Sequence, residues 1–171
     1  MEKITTVIEQ YLAEASADTL HRYHSWDHCR KVFALSGPTI HHQLHLGFYL
    51  ASWGMYRGSG GLLQKNHMVH EGVVDIYYSG KFEHLKHYRP TDLSDVIIDE
   101  ILGLKREVSN YYRGIRFKRG NKEEKAISTT DTLMSKVLLG TFGCTPAFDE
   151  YFIKGFTEIT KDKKIKFDRG D

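Results

Sequence analysis

The chain of 171 residues contains only two cysteines and three prolines, has no long apolar run and carries no strong excess of either charge. Cys29 and Cys144 lie far apart and match no paired spacing for a metal or a redox disulfide, which excludes a disulfide framework and a closed zinc knuckle and predicts two buried, reduced thiols. The longest nearly uncharged stretch, residues 44–56, is about 13 residues, short of the roughly 20 that cross a bilayer, so no membrane span is expected. The first ten residues, M-E-K-I-T-T-V-I-E-Q, place acids among the apolar side chains where a secretory signal needs a basic start and an unbroken apolar core; this predicts a cytoplasmic protein. Lys and Arg number 24 against 22 Asp and Glu, and charged residues make up 27%, which excludes a disordered polyelectrolyte. A length of 171 residues predicts one domain.

What is present is helical periodicity. With prolines confined to positions 38, 90 and 146, apolar residues recur at spacings of three and four almost throughout, and the chain reads as all-α: a single compact multi-helix domain over residues 1–160, followed by a charged C-terminal tail, 161–171. Ile4, Val7, Ile8, Tyr11 and Leu12 mark the inner stripe of a first helix. Ser25 is placed to cap a second over 26–35, and a third runs from about 40 to 55. Shorter helical pieces follow over 62–65 and 67–78. Thr91 or Asp92 opens a long helix to about Tyr112, with Leu93, Val96, Ile97, Ile101 and Leu104 inward. Two helices close the domain, over about 129–139 and 147–159, the second with Thr145 as cap and Pro146 at its first position.

Three groups of residues bear on chemistry. The histidine pairs His24/His28 and His41/His45 have the four-residue spacing at which two imidazoles on one helix can share a metal, but no carboxylate recurs at a fixed partner spacing; the reading is of helix-surface histidines, with no metal and no cofactor. In S-W-G-M-Y-R-G-S-G-G, Trp53, Tyr56 and Arg57 fall at spacings that share one helix face, and the glycines that follow let backbone amides approach a phosphate. Aromatic rings beside a guanidinium suit stacking against, or wedging out, a nucleobase. Residues 105–125 carry eight Lys or Arg against three acids, among them Arg113, Arg116, Lys118 and Arg119, a patch suited to phosphates. Finally, in the segment from Asp131 to Phe152, Ser135 and Lys136 lie on one helix and Asp149 in the first turn of the next. There the helix dipole favours an ionised carboxylate, able to offset positive charge developing on a sugar.

The pattern S-K-x-L-L, a turn, then P-A-F-D-x-Y-F, within residues 129–152, resembles the last part of the helix-hairpin-helix DNA glycosylase superfamily, in particular its 8-oxoguanine-glycosylase-like branch. The resemblance implies an all-α domain that binds double-stranded DNA, extrudes a modified base and uses an aspartate at the start of a late helix, the position of Asp149. Some members add a lysine nucleophile in the hairpin. Lys136 is the candidate here, although it lies later than that position and the hairpin's L-P-G-V-G is absent. The segments Y-H-S-W-D-H-C and L-A-S-W-G-M-Y-R-G-S resemble a group of bacterial proteins and bring no activity with them. The sequence thus points to a base-excision glycosylase. The alternatives are a non-catalytic helical module binding nucleic acid or protein, which needs the patch and the aromatics but not Asp149, and a histidine-rich metal-dependent hydrolase.

Overall fold

Helical spacing of apolar residues builds the observed fold. The computed structural model describes residues 2–161, and the expected charged tail lies outside them from residue 162 onward. In chain order the elements are α1 (Glu2–Ala17), α2 (His24–Phe33), α3 (Ile40–Ser52), α4 (Glu71–Tyr78), α5 (Asp95–Gly114), β1 (Arg116–Phe117), β2 (Lys125–Ala126), α6 (Asp131–Thr141) and α7 (Glu150–Thr160), with single 3-10 turns over 62–64, 67–70, 83–86 and 90–92. The class is all-α. The two strands form one short antiparallel ladder that pairs Arg116 with Ala126 and Phe117 with Lys125. No helix among the described residues is long and apolar enough to cross a membrane.

The centre of the fold is α6, buried along most of its length, with α2, α3 and α5 packed around it. Leu133, Met134, Val137 and Leu138 enter a core that also holds Phe33, Leu46, Tyr49, Leu50, Leu104 and Tyr112. Gly140 sets the approach of α3 to α6: a Cβ there would lie 2.6 Å from the ring of Tyr49, itself 2% exposed. Gly140→Ala is therefore expected to destabilise the protein by about 1–3 kcal/mol through overpacking, although alanine is the better helix former. A thermal melt of this variant at neutral pH checks it.

Several elements depart from the sequence expectation. The apolar stripe of α1 faces outward, with Val7, Ile8 and Leu12 all more than half exposed; the helix is held instead by Tyr11 stacked on Tyr23 at 4.4 Å and by the Ala15 carbonyl, 2.7 Å from His24 Nε2. Ser25 does not cap α2, since its hydroxyl donates to the Arg22 carbonyl. α5 starts at Asp95 under a Ser94 cap, and Leu93 and Val96 are exposed, the buried side chains of that helix being Leu104, Val108, Ser109 and Tyr112. α7 starts at Glu150, with Asp149 as N-cap in place of Thr145. Cys29 and Cys144 are free and buried, and burial pushes both thiols up, to about 12 and about 11.

Two other histidines, outside the four-residue pairs, lie in the core. His42 is 1% exposed; its Nδ1 accepts from the Thr39 backbone N–H and its Nε2 pairs with the Tyr78 hydroxyl at 2.7 Å. His70 is fully buried between two phenols, Tyr56 at 2.8 Å from Nε2 and Tyr112 at 2.7 Å from Nδ1. A neutral imidazole has one donor and one acceptor nitrogen, so the pair of hydroxyls satisfies it fully. Burial holds His70 down at about 3, with His67 adding to the effect.

Candidate functional site

The end of α3 sets one wall of a cleft. Met55 N donates to the Leu50 carbonyl at 2.8 Å and Gly54 N to that of Ala51 at 3.0 Å, with Gly54 at φ +73; this is the bonding pattern of a Schellman C-cap, and only glycine adopts that φ without strain. The helix stops at Ser52, so Trp53, Tyr56 and Arg57 do not share one helical face. Tyr56 turns away to His70 and does not line the cleft. Arg57 folds back, its Nε donating to the Gly54 carbonyl at 2.8 Å, which lays the guanidinium against Gly54 on the lining of the cleft. Trp53 is fixed by its neighbours: Tyr23 stacks on it at 5.8 Å and 11°, and the Arg22 guanidinium lies 4.8 Å from its ring centroid.

The opposite wall comes from α6 and α7. Lys136 projects from the buried helix with a side chain 6% exposed, and its Nζ donates to the Trp53 carbonyl at 3.1 Å and lies 3.5 Å from Asp149 Oδ2. Burial pushes the Lys136 ammonium below its ordinary range; the Asp149 carboxylate opposes this, while Arg57 and Arg22 add to it. Asp149 divides its two oxygens. Oδ1 accepts from the backbone N–H groups of Tyr151 and Phe152, both at 3.1 Å, and so caps α7, while Oδ2 is turned towards Lys136. The preceding loop is tied to the helix that carries the lysine, because Phe148 N donates to Ser135 Oγ at 2.8 Å and Thr132 Oγ1 donates to the Phe148 carbonyl at 3.0 Å. Asp149 and Lys136 are thus both referenced to α6.

Between these walls lies a cleft of about 740 Å³, lined by Trp53, Arg57, Lys136 and Asp149 together with Arg22, Ser59, Ser128 and Thr130. The structure brings four of the sequence candidates into one space. The basic hairpin and the last turn of α5 lie beside it: Arg119 of the hairpin donates to the Gly58 carbonyl at 3.4 Å, next to Ser59 on the rim, and Arg113 Nε, from α5, donates to Thr129 Oγ1 at 2.8 Å, between Ser128 and Thr130. Arg116 and Lys118 are exposed on the same segment. Lys105, by contrast, pairs with Asp131 at 2.6 Å on a second, apolar cleft of about 680 Å³. His24 and His28 have ring centroids 6.3 Å apart and His28 and His45 6.5 Å, away from the first cleft; no group of three or more metal-ligating side chains is assembled among the described residues.

Arg22 was not legible in the sequence as a site residue. It sits in the break between α1 and α2, outside any motif, and reaches the cleft because Tyr23 beside it stacks on Trp53; the aromatic pair was the available signal. Comparison of the chain with protein-family models, with curated proteins and with solved structures finds no match in any of the three.

Proposed function

We propose that this cleft receives one nucleotide extruded from double-stranded DNA and that Asp149 and Lys136 act on its N-glycosidic bond. The observation that carries the reading is the convergence of Trp53, Arg57, Lys136 and Asp149 on one cleft bordered by a basic hairpin. Its volume of about 740 Å³ suits a small-molecule-sized guest. The division of labour at Asp149 supports it further, since one oxygen holds the helix while the other meets a buried cation.

In the reaction, the bond between the sugar C1′ and the base breaks with both electrons leaving on the base, which takes a proton from Lys136. Burial makes this ammonium a stronger acid than an ordinary lysine. Water adds to C1′, and Asp149 Oδ2, which offsets the positive charge developing on the sugar, accepts the water's proton. Proton return from Asp149 to Lys136 across their 3.5 Å separation restores the site.

Incubation with duplexes carrying a panel of oxidised, alkylated and deaminated bases, read as free base and as abasic sites, tests this. The reading requires release from at least one duplex. Failure across the panel, with duplex binding intact, would leave the non-catalytic DNA-binding module. Duplex affinity itself is expected to fall with salt, each phosphate neutralised contributing about 0.9 to the log–log slope. Neutralising Arg113, Arg116, Lys118 and Arg119 together should flatten that slope, and an unchanged slope removes the hairpin from the interface.

A further inference from the structure

We propose that Arg22 and Arg57 form a phosphate subsite at the mouth of the cleft, so that the ligand it takes is a nucleoside carrying a phosphate. The proposal rests on the nucleotide reading above and adds which part of the nucleotide is gripped. Two guanidiniums from separate stretches of chain are anchored on the same short segment: Arg22 over the Trp53 ring at 4.8 Å, Arg57 through Nε to the carbonyl of Gly54. Bonding through Nε holds the Arg57 fork in place with its terminal nitrogens unspent, and packing on an indole holds Arg22 without using its donors.

The charge count around the cleft points the same way. Its lining holds three cations, Arg22, Arg57 and Lys136, and two carboxylates, Asp149 and Glu150. Asp149 is engaged by Lys136 and by the α7 backbone, and Glu150 pairs with Lys154 at 2.6 Å. Among the described residues no carboxylate pairs with either arginine. Two uncompensated guanidiniums facing one space favour an anion with several oxygens, and the planar fork matches phosphate oxygens in pairs. The apolar wall of Trp53 and Met55 beside them suits the base of the same ligand. Arg22 and Arg57 also lower the pKa of Lys136, which places both charges within electrostatic reach of the proposed proton donor. A phosphate bound there would offset that effect.

The full chain is titrated with deoxyadenosine 5′-monophosphate, with deoxyadenosine and with inorganic phosphate, following the indole N–H resonance of Trp53, assigned by its loss in Trp53→Phe. The monophosphate is expected to bind saturably and at least about tenfold more tightly than the nucleoside, with inorganic phosphate as a weaker competitor. Arg22→Gln and Arg57→Gln should each remove about tenfold of the monophosphate affinity and leave the nucleoside unchanged; Arg89→Gln, exposed and outside both the cleft lining and the basic stretch, should change neither. Both cleft arginines are exposed, so these variants should melt as the wild type does. Equal affinity for monophosphate and nucleoside, insensitivity to both arginine substitutions, or no saturable binding overturns the subsite. Arginine-dependent monophosphate binding without base release from any duplex would retain the subsite and sink the glycosylase reading, while base release with arginine-independent binding would do the reverse.

Discussion

Asp149→Asn should lower base release by about two orders of magnitude or more while leaving the protein folded. Removing one group that offsets developing charge in a closed site costs about 10²–10³ in rate. The fold survives because asparagine caps helices about as well as aspartate, and its side-chain oxygen can keep both bonds that Oδ1 now accepts from Tyr151 and Phe152. What disappears is the charge on the oxygen that faces Lys136. That lysine, with a side chain 6% exposed, would lose the carboxylate that opposes the effect of burial, so its pKa should fall further. The cost in stability is about 1–3 kcal/mol, and pairing the change with Lys136→Met should recover part of it without recovering activity. If Asp149 serves only as a cap, the asparagine variant will release base at the wild-type rate. Thermal melts and release rates measured side by side on the wild type and the two variants separate these outcomes.

Acid should unfold the protein steeply, and His70 should account for much of the steepness. The native imidazole is buried and held at about 3, whereas the same side chain in the unfolded chain titrates near 6.5. As pH falls through 6.5, the unfolded state takes up a proton that the native state does not, and stability drops by about 1.4 kcal/mol per pH unit until the native group also protonates near pH 3. Above pH 6.5 the contribution is flat. His70→Gln retains one donor and one acceptor for Tyr56 and Tyr112 and cannot titrate. It is expected to be about 1–3 kcal/mol less stable at neutral pH, and to lose stability less steeply on acidification. Urea unfolding at several pH values compares the two chains. Parallel curves would show that the buried imidazole is not the source of the acid sensitivity.

The all-α class was legible because it rests on local spacing, and the short helices over 62–78 were legible because glycines and Asn66 mark their ends. Burial was less so. The apolar stripe of α1 has helical spacing whether or not a partner covers it, and spacing alone does not separate Val7 or Ile8, both exposed, from Val73 or Leu104, both buried. The start of α7 moved from Thr145 to Asp149 because Ser135 and Thr132 on another helix satisfy the backbone of Phe148, a contact thirteen or more residues away in sequence. Tyr56 was misplaced because Gly54 ends α3 in the left-handed region, so that the periodicity linking it to Trp53 no longer holds. The burial of His70 was not legible because a histidine satisfied by two tyrosines, one 42 residues distant, leaves no local pattern. For the site, Lys136 and Asp149 were legible from their places on one helix and at the start of the next, with only a short turn between. Arg22 was not visible, since only the stack of Tyr23 on Trp53 carries it to the cleft.

The central claim is that a nucleotide leaves the duplex and enters the cleft, and the most direct measurement uses a duplex with a single 2-aminopurine, whose emission is quenched while it is stacked. Both a stacked tyrosine and a guanidinium already contact Trp53, so an incoming base meets a wall whose ring is engaged. On addition of the protein, emission should rise in proportion to the bound fraction, and a large side chain introduced at the cleft wall, Ser59→Trp, should suppress the rise while the duplex stays bound through the hairpin. Emission that stays at the duplex level when binding is complete would contradict the account, because the base would then have remained in the stack.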